Sequence, residues 1–302
     1  MTWNHKKRLH LMTEGEATGE TSELFSAIKG AVGMPFVPTY YQALGFYEGF
    51  LKLHWQSFEP LLRSAAFFRL ADRLRAEAYT TLHNYFPIPD LRNAVEEAKF
   101  TSGAQRELSS VVAYFYYRDA VILLICAVQS HAFEGNMGDA KAPMKPAQML
   151  PGPPPQPAVA PLLAPEKNVS PVVRSIMEEI RQSLKLPVIT NDYLAFARWP
   201  DFLREYWGAL KPSAASPLYA QYRRGMCESA MDLAGNLLPL PALSMQALEE
   251  SDIAKDQVAS LVHINESFTK AFSANLLNVT FAQIGLEGGN GRKRNGKVEE
   301  AA

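Results

Sequence analysis

One carboxylate in the chain has the surroundings that a reactive acid would need. Asp192 follows an apolar stretch, residues 186–189, and a helix capped by Thr190 or Asn191 would place it in the first turn. Aspartate is common there for structural reasons, because it accepts hydrogen bonds from free N–H groups and complements the helix dipole. The position also suits chemistry. If the dipole keeps Asp192 ionised while apolar walls exclude bulk water, it can act as a general base toward one trapped water.

Other common catalytic arrangements are missing from the sequence. There is no Gly-x-Ser-x-Gly elbow, no phosphate-binding loop and no His-Glu-x-x-His motif. The six histidines lack the spacing of metal ligands, so we expect neither a metal nor another cofactor. Cys126 and Cys227 form no Cys-x-x-Cys pair, which argues against a redox role and favours reduced thiols in the cytoplasm.

Charge and hydropathy argue against several kinds of partner. The net charge is −1, so the chain lacks the strong basic excess typical of nucleic-acid binding or of a polybasic membrane anchor. The polar N-terminus does not have the pattern of a secretory signal. The most apolar run, residues 120–128, is far shorter than a membrane span and is interpreted as part of a buried helix.

A proline-rich segment separates two similar halves. Residues 136–168 contain nine prolines, which favour an extended connector. A shift of 152 positions makes eight residues identical in a window of 33: Ile28, Pro35, Tyr41, Ala43, Phe50, Leu51, Trp55 and Pro60 fall on Ile180, Pro187, Tyr193, Ala195, Phe202, Leu203, Trp207 and Pro212. A shift of 153 aligns further residues near the end of each half. This repetition predicts a duplicated unit whose copies pack as a pseudo-dimer.

Each unit is predicted to be helical, so the fold class is all-α. Apolar residues step by three and four from Tyr41 to Phe58, which predicts one helix face, and the same steps run from Tyr193 to Leu210. Pro200 fits the first turn of a helix, so we expect two short helices, 191–198 and 200–210, that meet at Trp199. Later helices are expected at 68–85, 103–132, 218–235 and 252–284.

The predicted organisation has five parts. A polar N-terminal segment (1–20) precedes the first helical repeat (21–135), the proline-rich linker (136–168) and the second repeat (169–288). Residues 289–302 are predicted to be a disordered tail, whose basic residues 292–294 are interpreted as solvated.

The two copies differ where the corner helix begins. They agree at apolar positions, but the first copy has Tyr40 where the second has Asp192. The asymmetry fits a functional carboxylate in the second copy, but a structural aspartate at the helix start is the favoured interpretation from these residues alone.

These residues resemble the group I 2-haloacid dehalogenases. The similarity runs from Glu14 to about Gly288 and is carried by residues 14–20, 34–37 and, most specifically, 191–200. The resemblance implies an all-helical pseudo-dimer that hydrolyses small 2-halocarboxylic acids with inversion, without a metal and without a covalent intermediate. It implies that Asp192 activates the hydrolytic water. The sequence leaves the oligomeric state open, and a homodimer is possible.

The resemblance also implies further substrate-binding residues. They are Asn191, Phe36, Thr39, Tyr116, Asp119 and Asn265. Five positions depart from the family's pattern: Thr39 and Phe68 replace an aromatic residue and a carboxylate, Tyr116 and Asp119 replace asparagines, and Asn265 replaces a tyrosine. Core packing is an equal alternative for Tyr116 and Phe68. An acid at Asp119 that faced the site would repel a carboxylate substrate or raise the pKa of Asp192, and a salt bridge to a surface arginine is the favoured interpretation of this residue.

A second hypothesis therefore stands beside the hydrolase. The chain could be a diverged helical protein that keeps the fold and binds a ligand without dehalogenation, because fold kinship alone is weak evidence for a reaction.

Overall fold

The computed structural model describes residues 9–97, 99–135, 161–164, 169–237, 241–251 and 253–291. Over these residues the protein contains helices and no strands, which confirms the predicted fold class. The first half contains α1 (Gly19–Val32), α2 (Thr39–Leu44), α3 (Glu48–Leu62), α4 (Ala65–Tyr85), α5 (Arg92–Glu97) and α6 (Ser102–Phe133). The second half contains α7 (Pro171–Leu184), α8 (Asn191–Phe196), α9 (Pro200–Ala214), α10 (Pro217–Ala234), α11 (Met245–Glu249) and α12 (Lys255–Leu286).

The helix bounds follow the sequence offset between the halves. Helices α7 to α10 begin 152 residues after α1 to α4, and α12 begins 153 residues after α6. These offsets are the ones from which the duplication was predicted. The pseudo-dimeric packing stays a prediction, and most of the proline-rich linker lies outside the described residues.

The corner before α9 is confirmed, whereas the single helix face predicted for the first half is wrong. Pro200 is the first residue of α9, after a bend at Trp199. In the first half the chain leaves the helix between α2 and α3, at residues 45–47. A side chain at Gly45 would come within 2.8 Å of the Phe25 ring, so the bend brings the backbone close to α1. The apolar periodicity continues across the bend because both helices face one core.

The two 32-residue helices, α6 and α12, form the centre of the molecule. They pack against each other, and α4 and α10 cover them on the outside. By length and composition α6 could cross a membrane, but most of its apolar part is buried inside the protein. Residues 120–128 are at most 1% exposed, which confirms that this run is part of a buried helix.

The first described residues beyond α12 are held by hydrogen bonds. The backbone N–H of Asn290 donates to Ile88 O (3.1 Å), and its amide donates to Phe86 O (2.7 Å) and His83 O (3.0 Å). The predicted tail thus begins with an anchored residue. Residues 292–302 lie outside the described residues.

A glycine ends α1 where a buried arginine leaves no room for a side chain. Gly33 has a left-handed backbone (φ 69°), and a Cβ there would lie 2.6 Å from Nη2 of Arg118. The Arg118 side chain is 1% exposed, so it cannot move aside freely.

We expect Gly33→Ala to destabilise the protein by about 1–2 kcal/mol or more, because an L-residue is strained in this conformation and the added methyl group displaces a buried guanidinium. The matched control is Gly30→Ala in the same helix. A Cβ at Gly30 meets nothing within 4 Å, so this change should stabilise by about 0.5–1 kcal/mol. Urea unfolding followed by circular dichroism measures both, and equal effects would contradict the assignment.

Candidate active site

Asp192 lies in the first turn of α8, as predicted, and is buried. It is 2% exposed, and Thr190 is the N-cap residue of the helix. Neither carboxylate oxygen of Asp192 has a hydrogen-bond partner of good geometry. A carboxylate that served only to cap the helix would accept such bonds, so capping alone does not explain this residue.

Residues from α12 and from the first half hold the start of α8 in place. The Asn275 amide donates to Thr190 Oγ1 (2.8 Å), and the Asn278 amide donates to the Tyr193 hydroxyl (2.8 Å). The Asn191 amide donates to Val37 O (3.3 Å), just before α2. Asp192 is therefore flanked on both sides by fixed residues while its own oxygens stay free to accept.

The residue equivalent to Asp192 in the first half makes the contrast clear. The Tyr40 hydroxyl is fully buried and donates to Oδ1 of Asn265 (2.9 Å). The phenol thus has its partner within the protein, whereas the carboxylate does not. A buried polar atom without a protein partner is a place where a water or a ligand can bind, so the two equivalent positions differ in what they can hold.

The ionisation of Asp192 is set by two opposing influences. Burial raises its pKa from 3.8 to about 6, while the nearby Thr190 hydroxyl and the N–H groups of Asp192 and Tyr193 lower it. These donors are close enough to stabilise the charge but do not form hydrogen bonds of good geometry with it. At pH 7 the carboxylate is mostly ionised and can accept a proton.

A second acid, Asp119, lies on α6, which packs against α8, and it is close enough to Asp192 to be affected by its charge. It is 3% exposed, and its Oδ2 has no hydrogen-bond partner. The salt bridge favoured for it from sequence is wrong, because Asp119 forms no ion pair with any arginine in the described part of the chain. Burial raises its pKa well above the ordinary value, and the charge of Asp192 raises it further.

Phe36 belongs to a row of aromatic rings that reaches α8. Its ring stacks on Phe115 of α6 (centroids 6.1 Å apart), and Phe115 meets the edge of Phe196 (6.2 Å). Thr39 is buried at the start of α2, and its hydroxyl has no hydrogen-bond partner. Asn191, Phe36 and Thr39 thus lie on the segments that join the halves beside Asp192, and their roles as substrate-binding residues stay predictions.

The other two predicted substrate-binding residues have their polar atoms engaged elsewhere. The Tyr116 hydroxyl donates to Arg75 O of α4 (3.3 Å), and the Arg75 guanidinium covers the Tyr116 ring. The Asn265 amide donates to Cys126 O (3.1 Å) and to Ser130 Oγ (2.8 Å) while its oxygen accepts from Tyr40. These contacts give both residues packing roles, and the structure adds no support for substrate binding by either.

Two asparagines of α12 were missed from sequence. Asn275 and Asn278 are fully buried beside Thr190 and Tyr193, and Oδ1 of Asn275 still lacks a partner. The available signal was a pair of amides three residues apart within the apolar run of residues 274–282. Among the described residues no group of histidine, cysteine and carboxylate side chains could hold a metal ion.

Comparisons with known proteins show a family match and similar sequences. Residues 35–193 match a family model described as halocarboxylic acid dehydrogenase DehI. An (R)-2-haloacid dehalogenase of Pseudomonas putida is 26% identical over 284 residues, covering 91% of this chain and 92% of that protein. A second (R)-2-haloacid dehalogenase, from Rhizobium sp. (strain NHG3), is 25% identical over 236 residues, covering 78% and 90%.

Solved structures show the same fold. A D-2-haloacid dehalogenase mutant in complex with D-2-CPA has a TM-score of 0.84 at 24% identity, covering 93% of this chain and 97% of that one. A complex of a D-2-haloacid dehalogenase with L-LA has a TM-score of 0.82 with the same identity and coverage. The family match spans more than half of the chain and includes Phe36, Thr39, Asp119, Asn191 and Asp192. The chain therefore belongs to the DehI family, the group I 2-haloacid dehalogenases that its sequence resembles.

Proposed function

We propose that this protein is a hydrolase that removes the halogen from C2 of a small 2-halocarboxylic acid. The observation that carries the proposal is Asp192, a buried carboxylate in the first turn of α8 whose oxygens accept no hydrogen bond of good geometry from the protein. Its place within the family match supports the same assignment.

In the proposed reaction Asp192 accepts a proton from a water molecule. The water oxygen forms a bond to C2 as the carbon–halogen bond breaks on the opposite face, and the halide leaves with the bonding electron pair. The product is the 2-hydroxy acid of inverted configuration, and Asp192 holds the released proton. Asn191 helps to orient the water or the substrate, and apolar walls that include Phe36 limit competing water.

A single-turnover experiment in ¹⁸O-labelled water tests this chemistry. With enzyme in excess over 2-chloropropionate, direct attack by water places the label in the hydroxy acid during the first turnover. Unlabelled product together with label in the Asp192 carboxylate would show attack by Asp192 itself and contradict the water mechanism. Absence of halide release from either enantiomer would contradict the hydrolase proposal as a whole.

The pH dependence of kcat/KM should report the ionisation of Asp192. We expect kcat/KM to rise about tenfold per pH unit on the acidic side and to level off near pH 6, because only the ionised carboxylate accepts the proton. Chloride release measured from about pH 4.5 to 7.5 checks this limb. A nearly flat profile over this range, as the ordinary aspartate pKa of 3.8 would give, would show that burial does not act on the catalytic group.

The presence of Asp119 favours one alternative function, that of a ligand-binding protein. If Asp119 were ionised beside Asp192, the site would repel any carboxylate, which fits a binder of uncharged apolar ligands better than a dehalogenase. Thermal shift with 2-haloacids, plain carboxylic acids and larger apolar ligands separates the two. Stabilisation by the apolar ligands alone would favour the binding protein.

A further inference from the structure

Two buried acids with no cation between them raise the question of which one carries a proton. Asp119 and Asp192 come from different helices, α6 and α8, and both are nearly inaccessible to solvent. Two carboxylates in a shared apolar site rarely ionise together, because each negative charge disfavours the other. The pair is therefore expected to hold one proton at neutral pH.

The surroundings place that proton on Asp119. Asp192 lies at a helix N-terminus, near the Thr190 hydroxyl and two backbone N–H groups that stabilise its charge. Asp119 lies in the middle of α6, where the backbone N–H groups are already used within the helix. The two carboxyl groups thus have unequal environments, and the negative charge is more stable on Asp192 than on Asp119.

The other buried groups around the pair do not supply a compensating positive charge. The Arg118 guanidinium lies over Tyr114 (5.3 Å) and against Gly33, and it forms no ion pair with either acid. The buried polar groups that α9, α10 and α12 contribute next to α8 are neutral: the hydroxyls of Tyr206 and Tyr219 donate to Asn278, and the amides of Asn275 and Asn278 donate to Thr190 and Tyr193.

His54 is the remaining buried base among the described residues. Burial lowers its pKa to about 4, so it is neutral, and it is bound to Gln129 and Tyr41. The buried residues that α4 contributes include Thr81 and apolar side chains but no charged group.

No hydrogen bond joins the two acids directly, although the charge of Asp192 raises the pKa of Asp119. Both oxygens of Asp192 and Oδ2 of Asp119 lack protein partners. A water or substrate atom is thus needed at each of them, as an acceptor at a protonated Asp119 and as a donor at Asp192.

We propose that Asp119 keeps its proton while Asp192 is ionised, and that its O–H donates a hydrogen bond to the carboxylate of the bound 2-halocarboxylic acid. This rests on the proposed function for the identity of the acceptor. A neutral carboxylic acid is a strong donor to an anion, and it lets an acidic substrate enter a site that already holds one negative charge. The neutral Asp119 thus allows the site to bind a substrate carboxylate.

Infrared spectroscopy tests the location of the proton without any need for turnover. The difference spectrum of wild type minus Asp119→Asn, taken at about pH 7.5, should contain the C=O stretch of a protonated carboxyl group. A spectrum with only carboxylate bands would overturn the proposal. The spectrum is recorded without substrate. If the protein released no halide, the proposed function would be wrong, but the spectrum would still show whether Asp119 is protonated.

Kinetics test the donor role. Asp119→Ala removes the donor and should raise KM for 2-chloropropionate about 10- to 100-fold, whereas Asp119→Asn supplies an amide N–H and should recover most of that loss. At alkaline pH the wild type should lose affinity as Asp119 ionises, and the asparagine variant should not. If the acidic limb of kcat/KM moved down by a pH unit or more in Asp119→Asn, Asp119 would be charged in the wild type and the proposal would be wrong.

Discussion

Asp192→Asn should reduce halide release from 2-chloropropionate by about 100- to 10,000-fold, which is the contribution typical of a positioned general base. Asparagine has nearly the same shape and can stay in the first turn of α8, but it cannot accept a proton from water. Because the substitution leaves the surrounding aromatic rings in place, the loss should fall mainly on kcat. Initial rates of chloride release at saturating substrate measure it.

A matched control separates this effect from a general effect on helix ends. Asp201 also lies in the first turn of a helix, α9, but its side chain is 49% exposed and pairs with Arg204. Asp201→Asn should leave kcat within about twofold of wild type, because an exposed ion pair contributes little. Equal rates for wild type and Asp192→Asn would end the catalytic assignment of this carboxylate.

The same Asp192→Asn variant should be more stable than the wild type at neutral pH. Burial raises the pKa of Asp192 from 3.8 to about 6, so between these values the folded protein binds more protons than the unfolded chain. The contribution of Asp192 to the free energy of unfolding is therefore most favourable below about pH 4, where the group is protonated in both states. This contribution is lost as the pH rises to about 6. A shift of roughly two pKa units corresponds to about 3 kcal/mol, which the asparagine should recover at pH 7.

Urea unfolding of both proteins at about pH 4 and pH 7 measures this difference. We expect Asp192→Asn to have a higher free energy of unfolding than the wild type at pH 7 and nearly the same value at pH 4. Asp201→Asn should change the free energy of unfolding by less than about 0.5 kcal/mol. If Asp192 were only a structural helix residue, its replacement would instead destabilise the protein. A loss of activity together with a gain in stability is thus the signature of a functional buried carboxylate.

The sequence alone determined the helical fold class, the corner at Pro200 and the position of Asp192 in a helical first turn. These features depend on local chemistry: proline cannot continue a helix from the preceding turn, and apolar residues three and four positions apart share a helix face. The same periodicity concealed the bend at Gly45, because two helices that face one core keep a common apolar pattern across the bend.

The tertiary structure decided which polar groups meet at Asp192. Asp119, Asn275 and Asn278 are distant in sequence, and their residue types could equally have formed surface ion pairs or hydrogen bonds within the protein. Packing of α6 and α12 against α8 brought these residues to the start of α8 and buried both acids. Tyr116 and Asn265 instead form hydrogen bonds with residues of α4, α6 and α2. Burial and the charge of a neighbour set the ionisation of a carboxyl group, and both arise only when helices from the two halves pack together.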